Sequence, residues 1–474
     1  MSKNKIIFIS FFLSLAVISN VLAGWHINGD ESLIIAKELI QSGYRYSHPS
    51  NIFESATGRL LVGVTSGCNV EGTCRICVTY TDQSHGGWSE LEIVSHSNGN
   101  DCPAFAQDDN GVIYLFYTQS CCDNTWFVKS TDDGETWSSP ADCGSRDIDY
   151  SEQNNALRNP DGAWFGSSKY KRPTDGTGSG YMTIIGPDDL ENQAAWDTVH
   201  TPDKMGMGMF WVVNPTERIN NRYKNLFHFV RDDWIGGGKV CKSTDAGQTW
   251  TGPFGFGITS QVEGGDPNPN GDVRNACPAG VSLDIGDYYP ENSGLRGFHL
   301  AAHGGDARPL SAVKSGMDCH ETFGTDTDCG PNDQNPQRYF VRVWKNTGSD
   351  LTTGWEEILE LRETGENADP GMIQTKDHMV HLVWTGRHVN TIRHVVLDPY
   401  KIFGVQATAA KQHPENRIKE KMLSEHKVNE YSAHYFDLRG RSIHVNHIIA
   451  SGKSRTVLIE SNGRINKKVL GAIN

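Results

Sequence analysis

Lys129 to Pro140 reads KSTDDGETWSSP, and Lys242 to Pro253 reads KSTDAGQTWTGP. Both copies keep the order Ser-x-Asp-x-Gly-x-Thr-Trp, and each fixed position has a turn-building reason. The Asp side chain accepts hydrogen bonds from backbone N–H groups of its own turn, and Gly takes a positive φ at no steric cost. Ser130, Asp132, Gly134 and Trp137 in the first copy are matched by Ser243, Asp245, Gly247 and Trp250 in the second. Thr136-Trp137 and Thr249-Trp250 then open the next strand, with an indole placed to wedge against a neighbouring sheet. Turn chemistry that returns at long period marks a chain built from repeated supersecondary units.

Weaker copies extend the repeat. TYTDQSHGGW ends at Trp88, GPDDLENQAAW at Trp196 and WKNTGSDLTTGW at Trp355, so the tryptophans fall 49, 59, 54 and 105 residues apart. Ahead of each turn lies a pair of strand patterns, the first pair in PSNIFESATGRLLVGV (49–64), PAFAQDDNGVIYLFYT (103–118) and NALRNPDGAWFGSSKY (155–170). Three more occupy 210–230, 278–302 and 370–385, some without the turn glycine. Six pairs imply six blades. The fifth carries a polar stretch, 303–337, before RYFVRVW (338–344); a seventh blade would arise only if that stretch, which has no β-branched run, were itself a blade. The sixth lacks a fourth strand after TIRHVVLD (391–398), and SLIIAKELI (32–40) is placed to supply it and close the ring without leaving a sheet edge.

The Ser-x-Asp-x-Gly-x-Thr-Trp order is the Asp box, and the surrounding sequence resembles the sialidase superfamily of β-propellers. The resemblance implies an all-β chain whose Asp boxes are structural and sit on the turn between the third and fourth strands of a blade. A six-bladed sialidase-like propeller over 24–405 is expected, with a linker over 406–428 and a small β-domain over 429–474. FDLRGR and the basic NGRINKKVL in that last segment resemble a type IX secretion sorting domain, which implies a secretion-machinery partner. A carbohydrate-binding or packing domain is the other reading.

Residues 1–23 have a basic start at Lys3 and Lys5, an apolar run from Ile6 to Ile18 and small-residue spacing at Val21-Leu22-Ala23, the layout of a signal peptide. An exported protein, secreted or at the cell surface, with no membrane span is expected. Beyond that leader, 41 basic and 57 acidic side chains leave a net charge of −16, and from Lys411 onward 12 basic face 6 acidic. A body this acidic is a poor partner for nucleic acid, so an anionic ligand would need local positive charge. Of the eleven cysteines, most are expected in disulfides, as in other exported chains, with Cys319 and Cys329 closing a surface loop. Cys74-x-x-Cys77 reads as a disulfide element rather than a zinc site, because no second pair completes a zinc set.

In a propeller of this type the heads of the innermost strands and the loops joining second to third strands share one rim, opposite the Asp boxes. The resemblance therefore gathers His48, Asp101, Arg274 and Asp369 with Glu71, Tyr170, Arg231, Asp233, His303, Arg308, Arg387 and His388. Arg231, Arg274, Arg308 and Arg387, with His388, are the substrate-binding set, because guanidinium forks grip carboxylate or sulfate groups bidentately. His48, Glu71, Asp101, Tyr170, Asp233, His303 and Asp369 are the catalytic candidates. The sequence also departs from the sialidase pattern. Ser47-His48-Pro49 stands where an Arg-Ile-Pro run is usual, and ENADPGM, with Asp369, stands where a tyrosine nucleophile heads the last blade.

Three functions fit these residues. A glycoside hydrolase acting on an acidic glycan (uronate, sialate or sulfated) would pair carboxylates drawn from Glu71, Asp101, Asp233 and Asp369. A polysaccharide lyase would hold a uronate with arginine and remove a proton with His48, Tyr170 or His303. A noncatalytic glycan-binding propeller is the third. No cofactor is expected; the sole metal candidate is a calcium loop at Asp326, Asp328 and Asp333, which lacks a closing Glu.

Overall fold

The computed structural model describes residues 26–41, 47–66, 74–82, 87–97, 103–118, 125–143, 148–149, 157–170, 180–200, 208–213, 217–230, 239–255, 276–285, 288–289, 293–305, 340–362, 367–386 and 391–406 of one compact unit. In a second unit it describes 435–436, 442–443, 447–451, 454–461 and 464–470. The first unit is a six-bladed β-propeller, each blade an antiparallel sheet in sequence order except where N-terminal strands join blades five and six.

Blade one runs Ser47–Glu54, Leu60–Ser66, Cys74–Thr81 and Glu92–Ser97, and blade two Ala104–Gln107, Ile113–Thr118, Thr125–Ser130 and Ala141–Asp142. In blade three the innermost strand is in two pieces, Ile148–Asp149 and Leu157–Arg158, both paired with Trp164–Tyr170. Gly180–Ile185 and Asp197–His200 complete that sheet. Blade four comprises Gly208–Val213, Leu226–Val230, Lys239–Ser243 and Thr251–Gly255. Blade five comprises Ala276–Ser282, His299–Gly305, Phe340–Asn346 and Glu356–Arg362. Blade six takes Asn367–Gln374, Val380–Gly386 and Thr391–Leu397 from one end of the chain and Ile34–Gln41 from the other, in register from Ala36 opposite Val396 to Gln41 opposite Thr391 after a one-residue shift at Ile34. The ring is closed as the apolar N-terminal run suggests, and His26–Gly29 adds a further strand to the outer edge of blade five. In blade five the second and third strands pair directly, from His299 opposite Asn346 to Gly305 opposite Phe340. The long polar stretch is thus a connection within a blade, and the seventh sheet among the described residues of the propeller is no blade but a two-stranded turn, Arg218–Ile219 with Arg222–Tyr223, between the first two strands of blade four.

The periodic tryptophans explain how the blades hold together. Trp137 of blade two packs in a cluster with Leu61 and Ile76 of blade one, and Trp196 of blade three with Phe116 and Phe127 of blade two. Trp250 of blade four packs with Phe165 of blade three, and Trp355 of blade five with Phe227 and Phe229 of blade four. Trp88 of blade one reaches Val383 and Ile392 of blade six. Each indole therefore covers the preceding blade. At the sixth junction, where the outer strand comes from the N-terminus, Leu33 takes this place against Val341 and Val343.

The Asp boxes are two copies of one hydrogen-bond set. The Ser130 hydroxyl donates to Asp132 Oδ1 at 2.8 Å and accepts from Gly134 N at 2.8 Å, while Asp132 accepts from Thr136 N at 2.9 Å and from its hydroxyl. Ser243, Asp245, Gly247 and Thr249 repeat the set within 0.1 Å, at 2.8, 2.9 and 2.9 Å. The Thr136 hydroxyl, with backbone N–H groups, holds the Asp132 carboxyl down at about 2 against its modest burial.

The inner and second strands of blades one, two, three and six are joined by five-residue turns closed by matching bonds, Ser55 N to Arg59 O, Asp108 N to Val112 O, Asn159 N to Ala163 O and Thr375 N to Met379 O. The fourth turn residue has positive φ in all of them. It is Gly58, Gly111 and Gly162 in blades one to three, but His378 at φ 72° in blade six. There Asp284 of blade five accepts from His378 Nδ1 at 2.6 Å, which offsets a conformation unusual for a side-chain-bearing residue.

The cysteine reading needs correcting at Cys77: Cys77, Cys143 and Cys241 are buried and outside any disulfide, and burial pushes the Cys77 and Cys241 thiols up to about 12. Cys77 lies on the strand Cys74–Thr81 and its thiol is not in a disulfide, so the Cys74-x-x-Cys77 segment is not closed as a disulfide element. Cys319, Cys329 and the calcium candidates Asp326, Asp328 and Asp333 lie outside the described residues. No helix among the described residues is long and apolar enough to cross a membrane. The second unit, 409–474, contains a three-stranded sheet, His447–Ser451, Ser454–Ser461 and Arg464–Leu470, and a short pair, Tyr435–Phe436 with Ser442–Ile443.

Candidate functional site

An up-and-down blade sends its first–second and third–fourth connections to one rim and its other connections to the opposite rim. The two kinds of turn on the Asp-box rim meet directly, since Arg59 of blade one donates to Asp133 O at 3.0 Å and to Glu135 Oε1 at 3.1 Å. The opposite rim is where the innermost strands begin. His48 and Asp369 lie on two of these strands, Ser47–Glu54 and Asn367–Gln374, which are neighbours at the junction of blades one and six. Tyr170 ends the second strand of blade three at the same rim. Glu71, Asp101, Asp233, Arg231, Arg274, Arg308, Arg387 and His388 lie outside the described residues. In sequence, Arg231 directly follows the strand ending at Val230, and Arg387 the one ending at Gly386.

The heads of these strands share a feature that the sequence reading passed over. In blade one, Ser47 opposes Ser66 and Ser50 opposes Val64, so one extra residue is taken up around His48-Pro49. In blade six, Ala368 opposes Thr385 and Gly371 opposes Val383, around Asp369-Pro370. In blade five, Ala276 opposes Gly304 and Ala279 opposes Ala302, around Cys277-Pro278. A bulge leaves one residue unpaired, so it tolerates proline's missing N–H, and bulges re-aim the chain beside functional sites. The visible signal was the proline: Pro49, Pro278 and Pro370 each stand near the head of an innermost strand, as does Pro103, whose carbonyl accepts from Asn51 Nδ2 at 3.2 Å.

His303 is placed differently from the other candidates. It is buried on the second strand of blade five, with its ring stacked on Trp344 at 5.9 Å, and Trp344 faces Phe227 and Phe229 of blade four. The histidines of blade six are likewise interior. His381 Nδ1 lies 2.9 Å from His394 Nε2, and His394 Nδ1 lies 2.7 Å from Glu38 Oε2 on the N-terminal strand. Trp88 Nε1 donates to the same carboxylate oxygen at 3.0 Å. His228 and His299 are fully buried, and desolvation lowers each to about 3, so both are neutral packing groups.

At the Asp-box end the central channel opens into a cavity of about 780 Å³, bounded by the first–second turns of the blades. Adjacent turns are tied to one another around it. Ala56 N donates to Gln107 Oε1 at 2.7 Å, Tyr223 N to Asn159 Oδ1 at 3.3 Å, Asp284 N to Gln374 Oε1 at 2.6 Å and Lys376 N to Glu54 Oε2 at 2.9 Å. Arg158 pairs with Asp109 across the junction of blades two and three, and the pairing of Arg222 with Asp161 reinforces the junction of blades three and four. Burial pushes the Glu54 carboxyl up to about 7, against the opposing pull of the Lys376 charge and N–H. The sequence reading assigned no role to Glu54, Lys376 or Tyr288, all of which line this cavity.

No family model matches the sequence, and no curated protein matches it. Solved structures do. The intramolecular trans-sialidase from Ruminococcus gnavus, in complex with oseltamivir carboxylate, gives a TM-score of 0.50 at 8% identity, over 78% of this chain and 98% of that one. A Hadza microbial sialidase gives 0.49 at 14% identity, over 76% and 68% of the two chains. The α-L-arabinanase of Penicillium chrysogenum complexed with arabinobiose gives 0.47 at 12% identity, over 77% and 98%. At these identities the likeness is one of fold.

Proposed function

We propose that this sialidase-like propeller is an exported glycoside hydrolase that cleaves an acidic glycan at the rim opposite its Asp boxes. The observation that carries the proposal is the pair of bulges that bring an irregular backbone, at His48 and at Asp369, to the heads of two neighbouring innermost strands. Regular pairing would have served a purely structural rim equally well, whereas a proline-bearing bulge at both heads is a device for aiming side chains. The chain segments that bear Arg231, Arg274, Arg308 and Arg387, with His388, join strands at that rim, and guanidinium forks suit a sugar carboxylate or sulfate. Hydrolysis then needs one carboxylic acid to protonate the departing glycosidic oxygen and one carboxylate to activate water or attack the anomeric carbon. Asp369, Glu71, Asp101 and Asp233 are the groups available for these two roles. The leader at 1–23 and the segment 429–474, with a secretion-machinery partner, belong to the same reading.

The test uses the full-length protein and a panel of sialosides, uronate polymers and sulfated algal polysaccharides. Asp369→Asn and Arg387→Ala should each lower turnover by about 10- to 100-fold, the scale of one lost charge-assisted bond of about 1.5–3 kcal/mol, at unchanged thermal stability. Asp132→Ala on the opposite rim should do the reverse. Turnover indifferent to both rim variants, or cleavage of neutral glycans alone, would remove the site from this rim or the acid from the substrate.

A further inference from the structure

Blade five departs from the other blades on the Asp-box rim. Its inner and second strands are joined by 283–298, where blades one, two, three and six use five-residue turns. That connection brings Tyr288 and Tyr289 to the cavity, and Tyr288 is 65% exposed, the most exposed large side chain among the described apolar and aromatic residues. A long connection that delivers an exposed ring to a concave surface costs solubility and ordering entropy, and such connections are typically functional. Phe53 and Trp164 add aromatic surface to the same wall. The volume, about 780 Å³, falls within the roughly 300–1,000 Å³ of small-ligand sites.

The charges around the cavity decide what could bind there. Arg158 is taken by Asp109, and Asp161 is taken by Arg222. Lys376 Nζ is held by two carbonyls, Ser55 O at 3.0 Å and Ala56 O at 2.6 Å. A charged ligand would have to break one of these ties, each of which also joins turns of adjacent or nearby strands. One polar group is less committed. Glu54 is half-buried, its Oε2 accepts from Lys376 N, and no bond to Oε1 occurs among the described residues. Aromatic faces beside a single carboxyl group, with every stronger charge already matched, suit a ligand with hydroxyls and C–H faces and no net charge.

We infer that the Asp-box mouth of the channel is a second binding site, for an uncharged saccharide that stacks on Tyr288 and hydrogen-bonds to Glu54. The site is separate from the arginine-bearing rim and does not depend on what that rim cleaves. It would hold a neutral stretch or branch of a polysaccharide against the enzyme, or capture a neutral oligosaccharide on its own.

Calorimetry on the full-length protein tests this with xylohexaose, arabinohexaose, cellohexaose and laminarihexaose as probes, in wild type, Tyr288→Ala and Glu54→Gln. At least one neutral probe should bind, and Tyr288→Ala should weaken it about tenfold or more, the scale of one lost ring stack. Glu54→Gln, which keeps an acceptor and a shape, should weaken it less. Binding should persist in Asp369→Asn, which reports on the other rim, and turnover of a short acidic substrate should be unchanged in Tyr288→Ala. If no neutral probe binds, or if one binds equally well to wild type and Tyr288→Ala, the inference is wrong. The exposed position of Tyr288 keeps its replacement from being confused with misfolding.

Discussion

Glu54 closes the ring of turns between blades one and six, and its carboxyl is held at about 7 rather than the ordinary 4.5 because burial disfavours its charge. Between those two values the folded protein binds more protons than the unfolded chain, so this residue makes stability fall as pH rises from about 4.5 to about 7. Glu54→Gln keeps an oxygen to accept from Lys376 N and removes the titration. Its melting temperature relative to wild type should therefore be higher at pH 8 than at pH 5; parallel pH profiles for the two proteins would show that the carboxyl does not titrate in this range. His378 teaches a related lesson. It occupies the left-handed turn position held by glycine in blades one to three, and it can do so because Asp284, from the adjacent blade, accepts from its ring. The sequence shows a missing turn glycine there, but the compensating partner is 94 residues away and could not be found from local pattern.

Among the elements, the N-terminal strand Ile34–Gln41 has the most consequential placement. It completes blade six and places Glu38 against His394, with His381 behind it and Trp88 of blade one beside it. One carboxylate thus accepts from groups of two different blades at the closure of the ring. Glu38→Ala leaves the buried His394 and the half-buried Trp88 without this acceptor, and the variant should lose about 1–4 kcal/mol in denaturant unfolding. A loss under about 0.5 kcal/mol would mean that the closure rests on apolar packing alone. The strand itself was legible, because an apolar run without a partner and a blade lacking its fourth strand answer each other. The histidines were not: His381 and His394 sit on adjacent strands with nothing in their neighbours' pattern to mark them as a connected pair. The bulges at His48, Cys277 and Asp369 had a signal in the recurring proline, but a shift of one residue in pairing becomes visible only when both strands are in view.

At the scale of the whole molecule, blade count, strand order and ring closure follow from turn chemistry repeated at long period, and the tryptophans that mark the period are the wedges that make it cohere. The site was less legible, since a propeller brings together residues from connections far apart in sequence, and no local pattern states which side chains face one another. His303 illustrates the difference: its neighbouring glycines and arginine suggested a ligand contact, and its ring is buried within blade five, stacked on Trp344. The cysteines illustrate it in another way, because the expectation of disulfides came from export, whereas Cys77, Cys143 and Cys241 are buried outside any disulfide. With a net charge of −14 over the full chain, long-range attraction does not favour an acidic glycan, so the proposed function requires recognition at contact, the role it gives to Arg231, Arg274, Arg308 and Arg387. The central claim is that the rim opposite the Asp boxes hydrolyses such a glycan, and mass spectrometry of products formed in oxygen-18 water tests it most directly. Saturated products carrying one heavy oxygen at each new reducing end are the expected result. Unlabelled products ending in an unsaturated uronate, or binding of the acidic panel without any cleavage, would contradict it.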